Sequence, residues 1–149
     1  MSAKRILIIG WPGSGKTTLA RQMAKDTGLE HYCTDPQNKC PPGVRGIPND
    51  LEWSDGSQFV ANHWLGMEAI IEGVGLPRAL RKWHESNPGK PVPADRIIVL
   101  DSQYGELTSG RIGMGKGMDR IMEELSGWLS GKTEQKESPA IPRRVKEMG

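Results

Sequence analysis

Near the amino terminus, Gly10-Trp11-Pro12-Gly13-Ser14-Gly15-Lys16-Thr17 fits the pattern G-x-x-x-x-G-K-[ST] at every fixed position. These residue types suit the capture of a nucleoside triphosphate. Glycines let the backbone curl so that successive N–H groups point inward at phosphate oxygens. Gly13 and Gly15 also leave room for the phosphates to approach the chain. The loop runs into a helix, whose N-terminal partial positive charge favours anions. Lys16 is placed to reach the β- and γ-phosphates, and the Thr17 hydroxyl to coordinate Mg²⁺. Thr18 completes the expected nucleotide-binding run, Gly10 to Thr18. ATP and GTP satisfy these contacts equally.

The elements around this loop follow from the apolar pattern. Ile6, Leu7, Ile8 and Ile9 are consecutive and predict a short, fully buried strand. Leu19, Ala20 and Met23 have the spacing of a helix that Gly28 ends. A weaker strand over 29–34 stops at Asp35, and a strand over 67–71 stops at Glu72. The strand over 96–100 stops at Asp101. A helix begun at Ser54 or Asp55 runs to about Leu65, and another starts at Pro77. Residues 36–49 hold four prolines and two glycines and read as a long loop of the kind that serves as a binding loop or lid. Residues 108–129 read as helical at least from Lys116 onward, with the first part made loose by Gly110, Gly113, Gly115 and Gly117. The alternation of strands and helices predicts an α/β fold with a parallel sheet covered on both faces. Ligands of such sheets bind outside the carboxyl ends of the strands. Gly10, Asp35, Glu72 and Asp101 therefore mark the expected rim of the site. Residues 1–131 read as one domain and 132–149 as a flexible tail.

The loop and its flanking strand and helix resemble the P-loop kinase superfamily: adenylate kinase-like, shikimate kinase-like and polynucleotide kinase-like proteins. A second segment, Glu72-Gly73-Val74-Gly75-Leu76-Pro77-Arg78, is similar to the Asp-Gly-Phe-Pro-Arg segment of adenylate kinases, with Glu for Asp and two extra residues before the proline. The likeness implies the three-layer P-loop fold with strand order 2-3-1-4. Members of the superfamily usually add a fifth strand. Only 140–145 is apolar enough to supply it, and Pro142 argues against that.

The resemblance also implies roles. Glu72 would hold the Mg²⁺ hydration shell, and Arg78 would grip the acceptor's phosphate or carboxylate. Asp35 would orient or deprotonate the acceptor hydroxyl, although an Asp before Pro36 suits an Asx-turn as well. Arg111 and Lys116 would close over the γ-phosphate as a lid, whereas Arg120 belongs to the amphipathic helix with Ile121, Met122 and Leu125. The stretch 38–53, with Arg45 and Trp53, is the only free segment for binding an acceptor. Trp53 could stack on a base or lie half-buried in the core.

Composition narrows the partners. The chain has 149 residues, a formal net charge of +2 and 26% charged residues, which suits a soluble single domain. Near-neutral charge speaks against nucleic acid as the main partner, and the four apolar residues at 6–9 are too few for a membrane span. A cytoplasmic location is expected, so Cys33 and Cys40 should stay reduced. They do not fit, with His31, any recognised metal spacing. The expected function is an ATP-binding kinase that uses Mg²⁺ and transfers the γ-phosphoryl group to a small acceptor such as a nucleotide or nucleoside. A polynucleotide 5′-kinase and an ATPase or nucleotide-binding module without acceptor are the alternatives.

Overall fold

A computed structural model describes residues 3–101 and 108–136. Six strands form one parallel sheet: β1 Arg5–Ile9, β2 His31–Pro36, β3 Arg45–Ile47, β4 Ala69–Glu72, β5 Arg96–Leu100 and β6 Thr133–Lys136. Their order across the sheet is β3-β2-β4-β1-β5-β6. The inner four strands follow the expected order, 2-3-1-4 in the sequence reading. β1 lies in the middle, pairing Leu7 with Ile71 on one side and with Ile97 on the other. This is why its four apolar residues are consecutive: a central parallel strand is covered on both faces.

The two faces sort by alternation. Ile6, Ile8, Ile70 and Ile98 pack with Leu19 and Ala20 of α1 (Lys16–Thr27). Leu7, Ile71 and Ile97 pack on the other face with α2 (Trp53–His63), α3 (Leu76–Ser86), α4 (Ser109–Glu124) and the short α5 (Ser126–Leu129). Leu80 of α3 is fully buried there. The three-layer arrangement is the one expected.

Both edge strands depart from the sequence reading. The fifth strand beyond β5 exists, but it is Thr133–Lys136, at the start of the stretch expected to be a tail. Residues 140–145 lie outside the described residues. β6 is Thr-Glu-Gln-Lys and has no apolar run, because an edge strand needs only one hydrogen-bonding neighbour. Arg96 pins it with two bonds to Glu134, of 2.9 and 2.7 Å. Three residues of the proline-rich loop form β3 beside β2, again too short to leave a pattern. α4 is helical from Ser109, earlier than the Lys116 by which the sequence required it, despite its glycines. Thr108 caps it, its Oγ1 accepting from the Arg111 N–H at 3.2 Å.

Candidate active site

β1 delivers the chain to the rim at Gly10. Fully buried Ser14 lies beneath Gly10, where any Cβ on residue 10 would overlap the Ser14 hydroxyl. The Ser14 N–H closes the turn onto the Trp11 carbonyl at 3.0 Å. Gly13 and Gly15 take φ of 84° and 91°, which other residues adopt only with strain. Gly15 then caps α1, so the chain turns straight from loop to helix. Lys16 is drawn inward, with 8% of its surface exposed. Its Nζ donates to the Trp11 carbonyl at 3.0 Å. Burial lowers its pKa, opposed by the carboxylates of Glu72 and Asp35.

Glu72 ends β4 and is 1% exposed. Its Oε2 accepts from the Thr17 hydroxyl at 2.9 Å and faces His31 Nε2 at 3.1 Å. The next turn is built for close approach. Gly73 has φ 145°, and a Cβ there would overlap the Thr34 side chain. Thr34 Oγ1 in turn accepts from the Gly75 N–H at 3.2 Å. β2 thus fixes the loop that follows Glu72. The Thr17 hydroxyl and the Glu72 carboxylate are hard oxygen donors side by side at the mouth of the loop. That pair would suit a hard divalent cation such as Mg²⁺.

A cavity of about 600 Å³ joins these parts. Its phosphate end has Pro12, Gly13, Lys16, Thr17 and Glu72. Asp35 at the end of β2 faces the same space, as do Trp53, Val74, Arg111 and Met114. Asp35 and Arg111 lie close enough to Lys16 to act on its charge. Among the site residues expected from sequence, Lys16, Thr17, Asp35, Glu72 and Arg111 come together here.

Three others do not. Arg45 starts the edge strand β3 opposite Tyr32, at the end of the sheet away from the rim. It pairs with Glu30 at 3.6 Å and lies over the Tyr32 ring. Lys116 and Arg120 are exposed on α4, and neither lines the cavity. Arg78 lies behind Trp53, with its guanidinium 5.7 Å from the ring centre, and lines an adjoining cavity of about 230 Å³.

Other contacts were invisible in the sequence. His31 meets Glu72 across 41 positions, and no local pattern links them. Trp11 folds over α4: its Nε1 donates to both Asp119 carboxylate oxygens, at 3.1 and 3.2 Å, and its ring covers Gly115. The pattern had placed Trp11 beside the nucleotide; it also ties the loop to α4. Cys33 is buried and Cys40 half-buried, both as free thiols. Among the described residues no group of three or more His, Cys, Asp or Glu side chains could hold a metal. No helix among them is long and apolar enough to cross a membrane.

Solved structures share this architecture. A gluconokinase from Sinorhizobium meliloti superimposes with TM-score 0.55 at 15% identity, over 96% of this chain and 87% of that one. A shikimate kinase from Acinetobacter baumannii, in complex with shikimate, gives 0.50 at 14% identity, over 96% and 89%. By sequence, the Schizosaccharomyces pombe adenylate kinase isoenzyme 6 homolog is 26% identical over 118 residues, 79% of this chain and 65% of its own length. In sequence and in fold the chain is similar to the P-loop kinase superfamily. A Pyrococcus furiosus protein also named for adenylate kinase is 27% identical over 126 residues, 83% of this chain and 63% of its own. The chain therefore spans just under two thirds of the length of both curated proteins. No protein-family model matches it.

Proposed function

We propose that this protein is a small-molecule kinase that transfers the γ-phosphoryl group of ATP or GTP to a small acceptor. One observation carries the reading: Asp35 shares a single cavity with Lys16, Thr17, Glu72 and Arg111. A module that only holds nucleotide needs no carboxylate facing the end of the phosphate chain. The likeness to proteins named for adenylate, gluconate and shikimate kinases supports the same reaction class.

The work divides among the chain's own residues. Loop amides and Lys16 hold the β- and γ-phosphates, with Lys16 released from the Trp11 carbonyl. Arg111, at the start of α4, neutralises charge that builds on the γ-phosphoryl oxygens. Asp35 orients the acceptor hydroxyl and takes its proton as the oxygen bonds to phosphorus. Bound Mg²⁺ would supply charge neutralisation between the phosphates, held at Thr17 and Glu72. Trp53, Val74 and Met114 exclude water from the acceptor side.

The test is a panel assay with γ-labelled ATP and Mg²⁺, offering nucleosides, nucleotides, sugar acids and 5′-hydroxyl oligonucleotides. Label should appear on a small acceptor. Release of free phosphate alone would contradict the reading, and label confined to oligonucleotides would assign a polynucleotide kinase instead. Lys16→Ala should abolish transfer. Asp35→Asn should keep ATP affinity and lower turnover by about 10²- to 10⁴-fold.

A further inference from the structure

Among the described residues, the exposed large hydrophobic side chains are Trp53, 48% exposed, and Met114, 39% exposed. They come from different elements, the start of α2 and the second turn of α4. Both line the P-loop cavity and the smaller cavity next to it. Solvent-facing tryptophan and methionine normally cost solubility and need no common location. Here they line the same cavity, together with Val74.

The charges at this end are equally informative. Lys16 and Arg111 are the cations lining the P-loop cavity, against the carboxylates of Asp35 and Glu72. Both cations are needed for the triphosphate. Among the described residues no further cation lines that cavity to receive a second phosphate dianion, and Asp35 would repel one. Arg78 stands behind Trp53, with its charge on the ring face. A cation there holds the indole in place through its π-face and leaves the opposite ring face for a ligand.

We infer that the acceptor is an alcohol carried on a flat aromatic body, a nucleoside being the simplest biological instance, and that Trp53 and Met114 clamp its ring while Asp35 meets its hydroxyl. Acceptors that present a phosphate to the donor are excluded by the same arrangement. The inference rests on the kinase reading and narrows it. In the transfer, the acceptor oxygen bonds to the γ-phosphorus, the bond from that phosphorus to the β,γ-bridging oxygen breaks, and the hydroxyl proton passes to Asp35. Trp53 is a specificity residue, and Arg78 is a positioning residue acting through it.

The experiment measures acceptor binding apart from turnover. Protein saturated with Mg²⁺ and a non-hydrolysable ATP analogue is titrated calorimetrically with nucleosides, with their 5′-monophosphates and with gluconate. Nucleosides should bind best. Trp53→Ala should weaken them by about tenfold or more, as loss of one base–aromatic stack does, and Trp53→Phe should restore most of the affinity. Affinity for the ATP analogue should not change in either variant. Arg78→Ala should raise the acceptor KM with little change in kcat, and Arg78→Lys should recover it. Tighter binding of the monophosphates or gluconate, no binding of nucleosides, or an unaltered affinity in Trp53→Ala would each overturn the inference. Label transferred to a monophosphate or to gluconate in the panel assay would overturn it too while leaving the kinase reading intact. ATP binding with no transfer to any acceptor would instead remove the kinase reading.

Discussion

Replacing Gly115 by alanine should destabilise the protein, although the same change elsewhere on α4 should stabilise it. In a helix interior, Gly→Ala gains about 1 kcal/mol from backbone entropy. Gly113 and Gly117 have open space where a Cβ would go, so each should realise that gain. At Gly115 the new methyl would overlap Cδ2, Cε2 and Cε3 of the Trp11 indole. The ring cannot slide aside cheaply, because Asp119 holds its Nε1. Displacing it costs a hydrogen bond to a carboxylate, about 1.5 kcal/mol. It also costs the apolar contact of the ring with the helix, on the order of 1 kcal/mol. The net is a loss of about 1.5 kcal/mol, or roughly 4 °C in Tm for a chain of this size. Thermal unfolding followed by circular dichroism measures it, with Gly113→Ala and Gly117→Ala as controls. Removing the indole with Trp11→Ala should turn Gly115→Ala from destabilising to stabilising. Because Trp11 belongs to the phosphate loop, Gly115→Ala should also weaken ATP binding. If Gly115→Ala raises Tm as much as Gly113→Ala does, the loop is not tied to α4 in the way described.

Two further predictions concern the frame. Asp95 accepts from the Arg5 side chain at 2.8 and 3.3 Å and from the backbone N–H groups of Lys4 and Arg5, which holds its carboxyl well below the usual range. A depressed carboxylate stabilises the fold above its unfolded pKa of about 4 and loses that contribution as pH falls further. Asp95→Asn should therefore lower stability in urea titrations at pH 7 and cost progressively less below about pH 4. An equal cost at both pH values would contradict that linkage. Leu80→Ala removes a fully buried side chain of α3 and should cost about 2–5 kcal/mol in the same titrations, whereas a loss under 1 kcal/mol would mean that α3 repacks without a cavity.

Features that depend on short separations could be read from the chain alone. Gly10 to Thr17 is one contiguous run, so the spacing of its glycines, lysine and threonine alone predicts phosphate binding. β1, β4 and β5 were readable for a related reason: buried on both faces, they are apolar almost throughout, as in Ile6 to Ile9, whereas β2, with His31, Tyr32 and Thr34, gave a weaker signal. Glu72 was legible because it closes such a run, and Asp35 because it stands just before the proline-rich loop. Tertiary structure decided the rest. The edge strands β3 and β6 carry no pattern, since pairing on one side makes no demand on composition. The glycines of α4 lowered its local propensity, yet Thr108 and the packing of Met118 and Ile121 make it helical from Ser109. Which cations reach the cavity depends on the rotation of α4 and the position of α3, so Arg111 enters while Lys116 and Arg78 do not. The pairing of His31 with Glu72 and of Trp11 with Asp119 spans 41 and 108 positions. Contacts of that length are set by how layers stack, which only the folded chain specifies.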